Sequence, residues 1–332
     1  MQLREALRTA LSTLQEADVP SASLAAELLL MHVLGRDRTY LYTHPAIEIP
    51  AEFATRYFHL VAERCTGKPT QYITGHQEFW GLDIEVTPDV LIPRPETEHL
   101  VEAVLSLAQA SAGDGKRGLA SEWRTGVACE SADRARLRIA DAGTGSGCIA
   151  LALASELSWA MIIATDISRP ALVVASRNAR RLGLAGRVRF VESDLLACVD
   201  GVAGGGAFDF VVSNPPYVGE DEIECVQREV RDFEPRLAWS GSGEGAEIYD
   251  RLFAEAARLL RPGGHVVVEV GYNQSDRVIR KLGPGWATAE VRPDLAGIPR
   301  VVVGRKAALS HQLSAETKVP PKAPVQGLSA ES

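Results

Sequence analysis

The residues with most chemistry to offer lie at 213–217, where "SNPPY" ends the apolar run "FDFVV". Proline lacks a ladder donor and does not extend a central strand. What it leaves is a carbonyl oxygen with no competing N–H, on a backbone whose φ is fixed. The restriction on residues before proline also holds Asn214 and Pro215 extended. A planar –NH2 on an sp² carbon is a poor nucleophile, because its lone pair is delocalised. Two acceptors, one per N–H, hold such a group and raise its electron density toward an electrophilic carbon. The Asn214 side-chain oxygen can be one acceptor and the Pro215 carbonyl the other, while Tyr217 lays its ring against a flat amide or base. No general base is needed, since an N-alkylated amide cation is acidic enough to lose its proton to water. Asn214, Pro215, Pro216 and Tyr217 form the candidate catalytic set.

A second stretch, "IADAGTGSGCIALALA", places Gly143, Gly145 and Gly147 between a strand pattern and a helix pattern, with Thr144 and Ser146 interleaved. Glycines there let a ligand approach the backbone beside free helix N–H groups. A dinucleotide fingerprint would need glycine at 148, where Cys148 stands, and the GK[ST] of a P-loop is absent. The loop is led instead by Asp141, a carboxylate unwelcome beside pyrophosphate but suited to an ammonium group. The cofactor this suits best is S-adenosyl-L-methionine, which carries an amino-acid moiety, a sulfonium and no phosphate. Asp166 ends the next strand pattern 19 residues after Gly147, where a carboxylate accepts ribose hydroxyls in nucleotide-binding α/β folds. Asp194 follows the third strand and can accept from an adenine amino group, with Leu195 packing on the ring. Asp and Gly populate strand–helix turns in any case; the ordered set at successive strand ends is what argues for a ligand.

These residues need a frame to hold them. From Leu137 onward, apolar strand patterns alternate with helix patterns: "LRIADAG", "AMIIATD", "VRFVESD", "FDFVVSNPPY" and "HVVVEVG" are separated by helical stretches, one running through "GAEIYDRLFAEAARLLRPGG". A final helix and two short strands close the chain. Continuously apolar strands between helices imply an α/β fold with a parallel sheet covered on both faces. Residues 1–75 read as an all-helical domain, in which Ser21 is the expected cap and Gly35 the stop of one helix. Residues 76–98, with "LDIEV" and punctuating prolines, read as a hairpin or linker into a second domain at 99–305. The polar stretch 111–136 is an expected surface insertion and 306–332 an expected disordered tail.

Composition narrows the class. The 332 residues are 46% hydrophobic and 23% charged, which are globular values, with no apolar run near the roughly 20 residues of a bilayer span. The net charge of −8 argues against a grip on long nucleic acid through phosphates. Five scattered cysteines without CxxC suit a reducing cytoplasm, and with seven histidines lacking HExxH they offer no metal site.

Together "DAGTGSG", "ATDIS", "SNPPY" and "LRPGG" resemble class I S-adenosylmethionine-dependent methyltransferases with an amino-methylating site. Adding "GKPTQYITGHQEFWGLDIEV", "LIPRPETE" and "EPRLAW", the chain resembles the release-factor N5-glutamine methyltransferases, the HemK/PrmC family, over roughly residues 1–305. The resemblance implies a Rossmann-like, seven-stranded, mostly parallel sheet and a small helical domain for substrate recognition. It implies that the acceptor is the glutamine of the Gly-Gly-Gln motif in peptide chain release factors. It also puts Asn214 near the methyl donor; a monomer with no direct nucleic-acid partner and no membrane partner is expected. Leu195 departs from the aromatic frequent at that position, and "LIPRPETE" is expected to wall the site. Two other acceptors share the planar –NH2: adenine N6 in nucleic acid, and a glutamine of a ribosomal protein.

Overall fold

The computed structural model describes residues 1–113, 137–200, 207–241 and 243–308. Residues 114–136 of the expected insertion and 309–332 of the expected tail lie outside them.

Five helices come first: α1 (Leu3–Glu16), α2 (Ala22–Leu34), α3 (Arg38–Thr43), α4 (Ala51–Cys65) and α5 (Thr70–Thr74). The spacing of Leu3, Ala6, Ala10 and Leu14 puts them on one stripe of α1, fully buried against Leu29, Leu30 and Val33 of α2 and Tyr57 and Val61 of α4. Burying tyrosine there leaves a hydroxyl to satisfy, and the Tyr57 O–H donates to the Ala26 carbonyl at 3.0 Å. Helix α2 ends at Gly35 in the left-handed conformation, as its sequence indicates. Its start differs from expectation. Ser21 occupies the cap position with φ 52°, and its side chain accepts no capping hydrogen bond.

A hairpin follows, β1 (His76–Phe79) and β2 (Leu82–Glu85), antiparallel and joined by Trp80 and Gly81. Both turn residues have positive φ, 55° and 70°, the twist that a two-residue hairpin loop requires. Phe79 and Ile84 bury into the core of the following domain. Asn178 ties the hairpin down, donating to the Glu85 and Ser146 carbonyls and accepting from the Glu85 N–H.

The second unit comprises α6 (Glu98–Gly113), β3 (Arg138–Ala142), α7 (Cys148–Glu156), β4 (Met161–Asp166), α8 (Arg169–Arg181), β5 (Val188–Glu192) and β6 (Phe208–Ser213). It continues with α9 (Arg228–Phe233), α10 (Arg236–Trp239), α11 (Glu247–Leu259), β7 (Leu260–Glu269), α12 (Ser275–Lys281), β8 (Trp286–Pro293) and β9 (Pro299–Lys306). The seven-stranded sheet has the order β5-β4-β3-β6-β7-β9-β8. The first five strands are parallel, and β9 runs antiparallel to both its neighbours. One boundary moves: the helix pattern read through "LRPGG" stops at Leu259, and β7 begins at Leu260. Pro262 has no N–H for a helix and Gly263 takes φ 77°, so the chain turns into the sheet. Lys306, read as the first residue of the tail, instead ends β9.

The chain leaves β3 outward to β4 and β5, then returns to the other side of β3 as β6. Loops after β3 and β6 therefore diverge, opening a crevice at the carboxyl edge of the sheet. Register sets them level: Ala142 pairs with Ser213, and the Ser213 hydroxyl donates to the Ala142 carbonyl at 2.7 Å.

Candidate active site

One wall of the crevice is the loop after β3. Gly143, Gly145 and Gly147 all have positive φ, between 55° and 85°. A Cβ on Gly143 or Gly145 would meet open space, whereas one on Gly147 would press on Ala175 and Leu151. The first two glycines thus keep the backbone open to a ligand, and the third lets α7 pack on α8. The loop is held from β4: the Gly143 and Thr144 N–H groups donate to the Thr165 carbonyl, and the Gly145 N–H to Asp166 Oδ2 at 2.9 Å. Asp166 Oδ1 accepts from the Ser168 N–H at 2.8 Å. Burial pushes the Asp166 carboxyl above its ordinary range, opposed by these backbone donors.

Asp141 is fully buried at the end of β3. Its Oδ2 accepts from the Thr144 hydroxyl at 2.7 Å, but Oδ1 reaches no hydrogen-bond partner among the described residues, and nor does the buried Ser146 hydroxyl. Burial pushes this carboxyl up to about 7, with the Thr144 hydroxyl pulling the other way and Asp166 adding to the rise. A buried acceptor left unmatched is costly, so an ammonium donor from a ligand fits the residues present. Asp194 and Leu195 follow β5. Asp194 is exposed and pairs with Arg251 of α11 at 2.7 Å, while the Leu195 side chain packs into the core beside Ile163 and Leu196.

The other wall is built by the loop after β6. Asn214 and Tyr217 are partly buried and Pro215 is buried. Asn214 Nδ2 donates to the Thr97 hydroxyl at 3.2 Å; its Oδ1 and the Pro215 carbonyl accept no hydrogen bond among the described residues. Both oxygens that the sequence offers as acceptors are thus free. The Tyr217 O–H donates to Glu269 Oε1 at 3.4 Å, and burial beside that carboxylate holds the phenol well above its usual range, keeping it protonated.

Sequence reasoning missed much of this wall. Thr97 sits in a 3-10 turn leading into α6, with its hydroxyl 2.6 Å from Glu269 Oε2 at the end of β7. Burial pushes Glu269 up to about 7, against the Thr97 hydroxyl. Gln274 Nε2 donates to the Tyr217 carbonyl at 2.9 Å, and a Cβ on Gly245 would collide with that same carbonyl. Glu234 is buried, accepting from the Ile92 N–H and from Arg94, so "LIPRP" and "FEPRLAW" brace each other. Arg64 of α4 reaches across to Glu229 of α9. The one available signal was "PRPETE", which marks the segment without showing that its threonine is the residue turned inward.

Sheet order, glycine loop and acidic strand ends define a class I methyltransferase. Residues 5–75 match the family described as the PrmC N-terminal domain, and residues 128–242 the methyltransferase small domain. The release factor glutamine methyltransferase of Koribacter versatilis is 47% identical over 306 residues, covering 92% of this chain and 99% of that protein. Those of Nitratidesulfovibrio vulgaris and Moorella thermoacetica are 39% and 41% identical, covering 92% and 90% of this chain and 95% and 97% of theirs. The chain belongs to the release factor glutamine methyltransferase family.

Proposed function

We propose that this enzyme transfers a methyl group from S-adenosyl-L-methionine to the N5 side-chain amide of the Gly-Gly-Gln glutamine of peptide chain release factors. One observation carries the reading: Asn214 Oδ1 and the Pro215 carbonyl are two acceptors without a partner among the described residues, at the sheet edge that also holds the open glycine loop. They suit the two N–H groups of a carboxamide. The bound cofactor supplies a methyl group on a sulfonium, an electrophile needing no further activation.

On this reading, Asp141 Oδ1 takes the cofactor's ammonium, the loop containing Thr144 and Ser146 cradles its amino-acid end, and Asp166 takes the ribose hydroxyls. Asp194 and Leu195 flank the adenine, Asp194 through its exposed carboxylate, although the Leu195 side chain expected to pack on the ring is largely buried in the core. Asn214 and Pro215 hold the glutamine nitrogen by both hydrogens, Pro216 fixes the turn, and Tyr217 covers the amide plane. The nitrogen lone pair forms the N–C bond as the C–S bond breaks and its electron pair stays on sulfur. The methylated amide then sheds its proton to water. Positioning is the enzyme's main contribution. The helical domain at 1–75 recognises the release factor, and the enzyme acts as a cytoplasmic monomer. No described helix is long and apolar enough to cross a membrane.

The test is mass spectrometry of purified release factor after incubation with the protein and S-adenosyl-L-methionine. A single methyl on the Gly-Gly-Gln glutamine is the expected product. Methylated adenine in DNA or RNA, or methylation of a ribosomal-protein glutamine alone, would overturn the reading.

A further inference from the structure

A carboxamide has nearly the same shape when its oxygen and nitrogen are exchanged, yet only one orientation can hold an –NH2 acceptor substrate. Turned by 180°, Asn214 would point its own N–H groups at the substrate's. Something must choose, and the loop itself does not.

The choice can be traced through three residues. Glu269 is 1% exposed, and its ionised carboxylate can only accept. Thr97, 2% exposed, has one hydroxyl proton and directs it to Glu269 Oε2 at 2.6 Å. The Thr97 oxygen then has only lone pairs left for Asn214, whose Nδ2 lies 3.2 Å away. Nδ2 is drawn into the wall and Oδ1 is left for the substrate. Glu269 Oε1 takes the Tyr217 O–H, so one carboxylate anchors both the amide and the ring of the acceptor motif.

We infer that Thr97 and Glu269 are positioning residues that fix the polarity of the Asn214 carboxamide. The inference rests on the proposed reaction, in which Asn214 Oδ1 holds the acceptor nitrogen. It assigns a role to the threonine of "PRPETE" beyond walling the crevice, and it links the linker, β6 and β7 in one directed chain of donors.

Two substitutions in the enzyme separate this role from packing. Thr97→Val keeps the branched volume and loses the hydroxyl; Thr97→Ser keeps the hydroxyl and loses a methyl. Turnover should follow the hydroxyl. Thr97→Val should lower kcat by about 10- to 100-fold, with cofactor Kd and release-factor KM within about twofold of wild type, whereas Thr97→Ser should stay within about threefold. In an Asn214→Ala background Thr97→Val should cost nothing more, because both act through the same atom. An active Val variant with an inactive Ser variant would overturn the inference in favour of packing, as would full additivity with Asn214→Ala. A wild-type enzyme that methylates adenine instead of release factor would sink the substrate assignment alone. The same Val-to-Ser contrast, measured on that adenine, would then decide the inference.

Discussion

The two walls of the crevice are built differently. The hydrogen bonds that tie the glycine loop to Asp141 and Asp166 join residues between positions 141 and 168, across two adjacent parallel strands. On the acceptor wall, Asn214 is held by a residue 117 positions away, and that residue by another 172 positions from itself. Gly245, Glu269 and Gln274 come from three further segments. A cofactor of fixed shape can be met by a local cradle. Holding a nucleophile with two acceptors of the correct polarity needs orientation, and distant parts of the fold supply it. The difference implies that damage to the first wall appears in binding and damage to the second in turnover.

The largest effect should come from Asn214→Ala, which removes a positioning acceptor. Methylation under saturating cofactor should fall about 100-fold or more while cofactor Kd, read by calorimetry, stays within about threefold. Near-wild-type turnover would end the case for two acceptors. Gly245→Ala is expected to be next. Its φ of 79° and the Tyr217 carbonyl leave no room for a Cβ, so the acceptor loop must shift. Steady-state kinetics should show kcat down about tenfold with cofactor affinity kept. Asp166→Ala should do the reverse, weakening cofactor Kd about tenfold with kcat at saturation little changed. Were Asp166→Ala and Asn214→Ala to give the same split, the walls would not be separable.

The same contrast explains what the sequence made legible. Strand order, the glycine loop and its acids follow from period and turn chemistry over short stretches, which is where sequence carries structure best. Asn214, Pro215 and Tyr217 were legible because proline constrains its own neighbourhood. Thr97 and Glu269 were not: a threonine in an acidic turn and a glutamate ending "VVVE" look like a helix start and a strand end. Only the closure of chain segments more than 100 residues long brings Thr97 to Asn214 and to Glu269. Ser21 fails for a more local reason. Its type suits a cap, but the left-handed backbone leaves its side chain without an amide to accept from.

The smallest expected effect is a pH dependence that divides along the same line. Asp141 and Glu269, one per wall, are both pushed up by burial, from 3.8 and 4.5 to about 7. Asp141 faces Asp166 and the Thr144 hydroxyl; Glu269 faces Thr97, Tyr217, Arg300 and Glu96. An ammonium needs Asp141 ionised, so cofactor affinity should rise as pH increases through about 7, and Asp141→Asn should flatten that slope. The Thr97 relay needs Glu269 ionised, so kcat at saturating cofactor should rise over the same interval without a matching change in Kd. Stability without cofactor has the opposite sign. Between the unfolded values and about 7 the folded chain holds more protons than the unfolded one, so its stability declines as pH rises through that window. Thermal unfolding at pH 5.5 and at pH 8 reads that sign directly (both are chosen to lie about one unit or more from 7). A melting temperature that climbed toward the higher value would mean that neither carboxyl is as desolvated as its burial implies.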